Sequence, residues 1–273
     1  MTAYRLLALD MDGTLLTSDK RISDRTLEAI RTAAQQGIAV ALSTGRAINE
    51  LAEYREALRG TVRYASLLNG CHVVDLDEDE TIALHPLDVS TALAIAAIGI
   101  EEQAMVHVLT ASQTAATPAD IERMDEVGMG VYQEMFRQIC TPAEDIRAFM
   151  RTHGGEICKV NLYHLDQEAR MRSYERVGEL GVQVALAEAT SVECTPLGMT
   201  KASGLELLCA HVGCTLDECV AVGDSPNDLD ALRAAGLAVA MGNAGDEVRA
   251  VADVTVADND HDGIVEVVEH LLR

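Results

Sequence analysis

Two short apolar segments, one near each end of the chain, lead directly into clusters of carboxylates. Tyr4–Asp10 (YRLLALD) is followed by Asp12, and Cys219–Val222 is followed by Gly223–Asp228 (GDSPND). Short continuous apolar runs of this kind are typical of strands buried in a parallel sheet. The carboxyl ends of parallel strands form one edge of an open α/β sheet, where ligands bind. The pattern therefore predicts that acidic residues from opposite ends of the sequence meet at one sheet edge.

The order of the elements around these segments indicates a sheet covered by helices. At the N-terminal end, a helix is predicted between Ser23 and Gly37, a strand at Ile38–Ser43, a helix at Ile48–Leu58 and a strand at Tyr64–Leu68. At the C-terminal end, helices are predicted at Thr200–His211, Pro226–Ala235 and Gly263–Leu272, and further strands at Leu237–Met241 and Asp253–Val256. Because β-α-β crossovers are right-handed, both ends are expected to form one Rossmann-like parallel sheet core with helices on both faces.

The middle of the chain is interpreted as an inserted α/β domain. Helices are predicted at Asp88–Ile98, Thr141–His153 and Gln167–Leu180. Strands are predicted at Ala104–Thr110, Glu156–Tyr163 and Val182–Ala187. Thr141–Glu144 has the form of a capping box with proline at the first helical position, so a helix is expected to begin there. Met124–Ile139 shows no clear period and receives no assignment. The predicted division assigns residues 1–84 and 189–273 to the core and residues 85–188 to the insert.

Charge and hydropathy exclude several classes of protein. The chain has 44 acidic and 21 basic residues, a formal net charge of −23, which repels nucleic acid and anionic membranes and attracts divalent cations. No apolar run approaches the roughly 20 residues of a membrane-spanning helix, and Asp10 and Asp12 interrupt the N-terminal apolar stretch too early for a signal peptide. Seven cysteines without a C-x-x-C pair favour reduced thiols and a cytoplasmic location.

Two motifs near the N-terminus contain groups that phosphoryl transfer needs. In Asp10–Gly13, one carboxylate can attack phosphorus while the other shuttles a proton, and Gly13 allows a tight turn whose N–H groups face an anion. Ser43–Arg46 offers a hydroxyl, a flexible backbone and a helix start, which suit a phosphate group. Ser and Thr are also ordinary helix caps, so this second motif has a structural explanation as well.

Two motifs in the C-terminal part complete the set. Lys201 can keep Asp10 ionised and neutralise phosphate oxygens, although a lysine considered alone is most often a surface charge. Asp224 is suited to a hard cation such as Mg²⁺, which prefers oxygen ligands and often shares a substrate phosphate. Ser225–Asp228 could simply start a helix. Taken together, the four motifs predict one magnesium ion and one phosphoryl group at a single site.

In this combination the motifs resemble those of the haloacid dehalogenase superfamily of phosphotransferases. The insert between the second and third motifs resembles the type IIB cap of the Cof-like sugar-phosphatase subgroup. Asn69-Gly70, Met241–Ala244 and Asp260–Gly263 are similar to that subgroup's signatures. The resemblance implies a magnesium-dependent phosphatase that acts on a small phosphorylated metabolite, with sugar phosphates favoured, through an aspartyl-phosphate.

The resemblance also implies a role for each motif residue. Asp10 would be the nucleophile, and Asp12 the general acid/base whose backbone carbonyl reaches the metal. The remaining roles are metal ligation by Asp10, Asp12, Asp224 and Asp228, and phosphate binding by Met11, Thr44, Gly45, Lys201 and Asn227. Arg46 and Asn69 are candidate substrate contacts, although Arg46 could instead pair with a surface carboxylate. The family usually has glycine directly after the motif lysine, whereas here Gly204 comes three residues later.

Other functions are weighed against this one. A phosphomutase would use the same aspartyl-phosphate but return the phosphoryl group to a sugar. The carboxylic acid of Asp12 favours complete hydrolysis, because it can protonate the leaving group and then activate water. A response-receiver module shares the aspartyl-phosphate, magnesium, Thr and Lys, but such modules are much shorter and lack a large insert. A catalytically idle metabolite-binding protein would not need every reactive group that is present here.

Two further patterns suggest other metals. Asp258–Glu269 matches an EF-hand calcium loop, but Asp253–Val256 reads as a strand where an EF-hand needs an entering helix. Cys209, Cys214 and Cys219, with His211 among them, suggest zinc. Because Cys209 and Cys214 are predicted on different faces of one helix, small buried thiols are the favoured interpretation.

Overall fold

The computed structural model describes residues 4–187 and 189–271, which form two compact units. The first unit is formed by the chain up to Gly45, by Glu53–Ala83 and by the chain from Thr200 onward; the second is formed by Arg46–Ala52 and Leu84–Met199. The boundary predicted at residue 188, the chain ends and the predicted helix end at residue 272 lie outside the described residues. The division into a core and an inserted domain therefore stays a prediction. Within the described ranges, no helix combines the length and apolar character needed to cross a membrane.

Strands and helices alternate along most of the described chain. The strands are β1 (Leu6–Leu9), β2 (Ala39–Ser43), β3 (Tyr64–Leu67), β4 (His72–Asp75), β5 (Glu80–Leu84), β6 (Met105–Thr110), β7 (Thr114–Ala116), β8 (Cys140–Pro142), β9 (Ile157–Tyr163), β10 (Val182–Ala185), β11 (Ser191–Pro196), β12 (Cys219–Gly223), β13 (Leu237–Ala240) and β14 (Val254–Thr255). The α-helices are α1 (Asp24–Gln35), α2 (Arg55–Leu58), α3 (Val89–Glu101), α4 (Pro118–Glu122), α5 (Gln133–Ile139), α6 (Ile146–Thr152), α7 (Gln167–Gly178), α8 (Lys201–Val212), α9 (Leu229–Ala234), α10 (Asp246–Arg249) and α11 (Gly263–Leu271). Short 3₁₀ helices occupy Ile48–Leu51, Leu68–Gly70, Met124–Val127, Gly130–Tyr132, Leu216–Glu218, Pro226–Asp228 and Asn259–His261.

The sheet that contains β1 is mostly parallel. Its strand order is β14-β13-β12-β1-β2-β3-β4-β5; neighbours from β14 to β3 are parallel, and β4 runs antiparallel to β3. Leu9 at the end of β1 is in register with Val222 on β12 and with Leu42 on β2. The three strands therefore end at the same level, and the residues that follow them share one edge of the sheet. The α/β prediction for the core is confirmed.

The central strand β1 is apolar because it is buried. All four of its side chains are at most 1% exposed, and Leu6 and Ala8 pack in one cluster with Leu205 and Leu208 of α8. Burying one leucine side chain contributes about 1.5–3 kcal/mol. This contact fixes α8 against the strand whose end carries Asp10.

The second unit contains its own sheet, with strand order β10-β11-β9-β6-β7-β8. Its neighbours are antiparallel except β7 and β8, which are parallel. Helices α3, α6 and α7 pack on one face of this sheet, where Ile95, Met150 and Val177 share a cluster with Val108 and Val160. The second unit is therefore also an α/β structure, as the sequence predicts.

Three predicted helices differ from the structure. The predicted helix Pro226–Ala235 begins as a 3₁₀ helix at Pro226–Asp228 and continues as α9. The predicted helix Ile48–Leu58 is two short pieces, a 3₁₀ helix and α2. The capping box predicted at Thr141 is wrong, because Cys140–Pro142 pairs with β7 as strand β8 and the Ala143 N–H donates to the carbonyl of Ala116 (2.9 Å). Pairing at a sheet edge, where proline is tolerated, outweighs the local capping signal. Helix α6 begins instead at Ile146, and its cap is Asp145.

Gly204, one turn into α8, allows the close approach of this helix to the 3₁₀ turn at Leu68–Gly70. A Cβ atom on Gly204 would lie 2.0 Å from Oγ of Ser66 and 2.7 Å from Cα of Gly70. The position therefore requires glycine, and it explains why the glycine near the motif lysine stands three residues after it.

We predict that Gly204→Ala destabilises the protein. Overpacking of this kind costs about 1–3 kcal/mol, which corresponds to a melting temperature lower by roughly 3–9 °C. The matched control is Gly178→Ala in α7, where an added Cβ meets nothing within 4 Å and alanine improves helix propensity. Thermal unfolding of both full-length variants measures the difference. An unchanged melting temperature for Gly204→Ala would contradict the close packing of α8.

Candidate active site

A buried lysine connects two of the predicted site carboxylates. Nζ of Lys201 lies 2.7 Å from Oδ1 of Asp10 and 2.6 Å from Oδ1 of Asp228, and all three residues are at most 5% exposed. An ammonium group removed from water is tolerated only when it is paired and hydrogen-bonded. Lys201 is therefore a structural cation for the end of β1 as well as a candidate catalytic group.

The start of α8 places this lysine. Thr200 is the N-cap residue, and its backbone N–H donates to Oγ of Ser203 (2.9 Å) in a capping box. This arrangement satisfies orphan groups at the helix start. Lys201 is consequently the first helical residue, and its position does not depend on a glycine directly after it.

The loop after β12 folds around Asp228. Oδ2 of Asp228 accepts the backbone N–H groups of Asp224 and Ser225, both at 3.0 Å. A Cβ atom on Gly223 would lie 2.4 Å from Cγ of Asp228, so glycine is needed for this approach. Because both oxygens of Asp228 have protein partners, its carboxylate supports the loop and Lys201.

The turn after β1 contacts Asp224. Oγ1 of Thr14 donates to Oδ1 of Asp224 (2.8 Å), and Nδ2 of Asn243 lies 3.2 Å from Oδ2 of the same carboxylate. Gly13 has φ of +80°, and a Cβ there would lie 2.3 Å from Oδ2 of Asp224. The two strand-end motifs therefore pack directly against each other through Gly13 and Thr14.

The carboxylates form a group suited to a hard cation. One oxygen from each of Asp10, Asp224 and Asp228 lies within 4.8 Å of the others, and oxygen ligands are what Mg²⁺ prefers. Burial, together with the neighbouring Asp228 and Asp224, raises the pKa of Asp10 to about 8 against the opposing effect of Lys201. Burial, with Asp228, raises the pKa of Asp224 to about 6 despite the bond from Thr14. The crowding of partly uncompensated carboxylates fits a divalent cation.

Asp12 lies at the same turn, but its side chain has a different partner. Oδ1 of Asp12 is 2.7 Å from Nζ of Lys20 in a partly exposed ion pair, and its carboxylate is not among the three that form the cation group. The two roles predicted for Asp12, proton transfer by its side chain and metal ligation by its backbone carbonyl, stay predictions. Lys20 was not identified from the sequence, where nothing distinguishes it from a surface lysine.

The predicted phosphate-binding residues lie on neighbouring loops of the first unit. The Thr44 N–H donates to the carbonyl of Ser66 (2.9 Å), and the Thr44 carbonyl accepts the N–H of Asn69 (3.1 Å). Asn69 is buried with φ of +56°. Met11 is fully buried after Asp10, and Oδ1 of Asn227 accepts the Ser225 hydroxyl. The phosphate-binding roles of these residues and of Gly45 stay predictions.

Arg46 was predicted as a candidate substrate contact, and in the structure it belongs to the second unit. Its Nη1 lies 3.3 Å from the carbonyl oxygen of Glu50, within its own short segment. The substrate role considered for Arg46 stays a prediction.

Thr14 and Asn243 contact Asp224 but were not predicted as functional residues. Thr14 directly follows the Asp10–Gly13 motif, and Asn243 lies within Met241–Ala244. Their closeness to these motifs was the one sequence signal that could have identified them.

The loop that resembles a calcium site, Asp258–Glu269, makes hydrogen bonds to other parts of the protein. The carboxylates of Asp260 and Asp262 accept hydrogen bonds from the hydroxyls of Ser18 and Ser23 at 2.6 and 2.5 Å, and β14 precedes the loop in place of an entering helix. The loop therefore ties the segment after β1 to the C-terminal part of the chain.

The prediction that Cys209 and Cys214 lie on different helix faces is wrong. Helix α8 ends at Val212, and the left-handed Gly213 turns the chain so that the Cys214 N–H donates to the carbonyl of Cys209 (2.9 Å). In this type of helix C-cap, the N–H of a residue beyond the helix end bonds to a carbonyl of the last helical turn. Among the described residues, however, only the three aspartates form a group at metal-binding distances.

Comparison with known proteins agrees with this geometry. The sequence model of the haloacid dehalogenase-like hydrolases matches residues 7–268. A similar protein is 5-amino-6-(5-phospho-D-ribitylamino)uracil phosphatase YitU of Bacillus subtilis, 30% identical over 95% of this chain and 94% of the relative. Pyridoxal phosphate phosphatase YbhA of Escherichia coli is 28% identical over 98% and 99% of the two chains.

A solved structure has the same fold. It is described as the subclass IIB sugar phosphatase BT4131 of the same superfamily, with a TM-score of 0.82, 23% identity and coverage of 97% of this chain and 98% of that chain. These findings confirm the resemblance that the four motifs indicate.

We predict that Asp224→Asn raises the melting temperature of the metal-free protein and removes its stabilisation by Mg²⁺. Removing one charge from three crowded carboxylates relieves repulsion, with an expected gain of about 2–4 °C for each 1 kcal/mol. A cation that binds only the folded state adds about 2.7 kcal/mol at 100 times its Kd. The measurement is thermal unfolding with and without Mg²⁺.

The control is Asp230→Asn, a half-exposed carboxylate on α9, which should leave both melting temperatures nearly unchanged. Equal stabilisation of Asp224→Asn and the unsubstituted protein by Mg²⁺ would refute the cation site.

Proposed function

This chain belongs to the haloacid dehalogenase-like hydrolase family and is a phosphoric monoester hydrolase, and we propose that it dephosphorylates small phosphorylated metabolites, sugar phosphates foremost, through an aspartyl-phosphate on Asp10. The observation that carries the proposal is the bond from buried Lys201 to Oδ1 of Asp10. It holds one carboxylate oxygen and favours the ionised form that a nucleophile needs. Relatives named as phosphatases of phosphorylated metabolites support the substrate class.

In the first half-reaction, Oδ2 of Asp10 forms a bond to phosphorus as the phosphorus–oxygen bond to the leaving group breaks. Asp12, in its acid form, gives a proton to the departing oxygen. Lys201 holds Asp10 in place and offsets charge near the phosphoryl oxygens.

In the second half-reaction, water attacks phosphorus and the bond to Asp10 breaks. Asp12 now accepts the proton of that water, so free phosphate leaves and both aspartates return to their starting forms. Asp10 and Asp224, with the carbonyl of Asp12, would hold Mg²⁺, which supplies charge stabilisation for the phosphoryl oxygens when it is bound. Asp228 is proposed to support the metal site through Lys201 and the loop.

The remaining parts of the proposal concern phosphate binding, the insert and location. Thr44, Gly45, Asn227 and the backbone N–H of Met11 are proposed to bind the phosphoryl group. Residues 85–188 are proposed to form a type IIB cap, which the compact second unit supports. The seven cysteines are free, which supports the proposed cytoplasmic location.

We predict that Asp10→Asn lowers phosphate release from phenyl phosphate by at least about 1,000-fold, because an amide cannot act as the nucleophile. Release of inorganic phosphate in the presence of Mg²⁺ measures the loss. Circular dichroism and thermal unfolding of the same sample establish that the fold is retained.

The matched control is Asp19→Asn, an exposed aspartate in the later turn at Thr17–Lys20, which should retain full turnover. Unchanged turnover in Asp10→Asn would exclude this residue as the nucleophile. If incubation with a sugar phosphate gave an isomer of that sugar phosphate and no free phosphate, the enzyme would be a phosphomutase and the proposed hydrolysis would be wrong.

A further inference from the structure

Three cysteines meet where helix α8 ends and strand β12 begins. Cys209 lies in the last turn of α8, Cys214 follows the end of that helix, and Cys219 is the first residue of β12. Cys209 and Cys219 belong to one apolar cluster, against which Cys214 packs, and all three lie in the first unit. We call these three residues the thiol cluster. The proposed phosphoryl transfer uses none of them.

The end of α8 holds the backbones of Cys209 and Cys214 side by side. The carbonyl of Cys209 accepts the N–H groups of both Gly213 and Cys214, and Gly213 has φ of +77°. At helix ends of this type, a residue beyond the turn usually makes a side-chain contact with the last helical turn. Here both residues are cysteines, so this contact joins two thiols.

The same turn is fixed from the start of the chain. Nη1 of Arg5 donates to the carbonyl of Gly213 (2.5 Å), and the Arg5 N–H donates to the carbonyl of Glu218 (2.8 Å). Both ends of the loop between α8 and β12 are therefore anchored to the first strand, and Cys214 stays next to Cys209.

This arrangement meets the geometric requirement for a disulfide. The Cα atoms of two bridged cysteines lie about 4.4–6.8 Å apart. Residues that share a backbone hydrogen bond have Cα atoms at about this separation, as in the hydrogen-bonded pairs of a sheet. The bond from the Cys214 N–H to the Cys209 carbonyl is 2.9 Å long. A bridge between these two residues therefore needs no movement of the backbone.

Cys209 is the thiol of the cluster that loses its proton most readily. Hydrogen bonds from the thiols of Cys219 and Cys214 lower the pKa of Cys209 against the effect of burial. Burial, together with the neighbouring Cys209, raises the pKa of Cys214 to about 11. The thiolate is the form that attacks a peroxide or a second sulfur. The cluster therefore contains one nucleophilic sulfur with two thiols beside it.

Cys214 opens the thiol cluster to solvent. It is half-buried, and the other six cysteines of the chain are buried. Outside the cluster, burial raises the pKa of Cys140 to about 11 and that of Cys158 to about 12. A small oxidant such as hydrogen peroxide therefore meets the cluster before it meets these two thiols.

We propose that the thiol cluster is an oxidation site, at which a peroxide converts Cys209 and Cys214 into a reversible disulfide. One sulfur attacks the peroxide, the O–O bond breaks, and a sulfenic acid and water form. The other sulfur attacks the sulfenic acid, and the S–S bond forms as the hydroxyl leaves with the thiol proton as a second water. Sulfur is thereby oxidised and peroxide oxygen is reduced, and a dithiol reverses the step by exchange.

Cys219 stays reduced in this assignment. It is in register with Leu6 of the central strand and has no exposed surface, so its oxidation would require the core to open. Its part is the hydrogen bond that favours the thiolate of Cys209.

The experiment treats the reduced full-length protein with about a tenfold excess of hydrogen peroxide, and then alkylates the remaining thiols after denaturation. A protease that cleaves after glutamate cuts behind Glu206 and Glu218, which yields Leu207–Glu218 with Cys209 and Cys214, whereas Cys219 begins the next peptide. Mass spectrometry should show that Leu207–Glu218 loses two hydrogens and takes up no alkyl group. Dithiothreitol before alkylation should restore two alkylated cysteines.

The variants separate the members of the cluster. Cys214→Ser and, as a second variant, Cys209→Ser should each abolish the disulfide, whereas Cys219→Ala should retain it within the same peptide. The matched control is Cys158→Ser, a buried thiol of β9, which should leave the disulfide unchanged. Circular dichroism before treatment establishes that each variant is folded.

Three results would overturn the assignment. The first is full alkylation of Leu207–Glu218 after peroxide, and the second is a crosslink between this peptide and the one that begins with Cys219. The third is oxidation of Cys140 or Cys158 ahead of the thiol cluster, because access and thiolate character would then not decide which cysteines react.

Discussion

The ion pairs of Lys201 are the interaction on which the candidate site depends. A fully buried ammonium is costly in isolation, and here it is compensated by Asp10 from the first strand and Asp228 from the loop after β12. Three segments that are distant in sequence must therefore fold together before the charge is satisfied. Removing one partner of a buried pair typically costs about 3–5 kcal/mol, so the contacts that hold Asp10 in place also hold the edge of the sheet together.

The surplus of negative charge at this edge has the opposite effect on stability. Asp10, Asp224 and Asp228 share a small volume with a single buried lysine, and burial raises the pKa values of Asp10 and Asp224. Such crowding is unfavourable in itself, and a bound cation would offset the repulsion. Functional sites often lower the stability of the fold in this way. The net charge of −23 also increases the attraction of the protein surface for divalent cations.

Much of this could be read from the sequence, because strand-end motifs are local and the parallel sheet brings strand ends together. The positions of Asp10, Asp224 and Asp228 follow from that rule, whereas Lys201 is placed by the start of α8. The features that failed depend on distant partners. The apparent capping box at Thr141 is overridden by pairing with β7. Cys214 lies beyond the end of α8, where the left-handed Gly213 turns the chain and the Cys214 N–H reaches the carbonyl of Cys209.

The most direct test of the account is the position of a bound divalent cation. Crystals of the full-length protein grown with Mn²⁺ in place of Mg²⁺ would give an anomalous difference map that locates the metal by its own anomalous scattering. The account predicts a peak about 2.1–2.3 Å from carboxylate oxygens of both Asp10 and Asp224, a distance typical of hard cations with oxygen ligands. A peak at the Asp258–Asp262 loop alone, or no peak near Asp10, would contradict it.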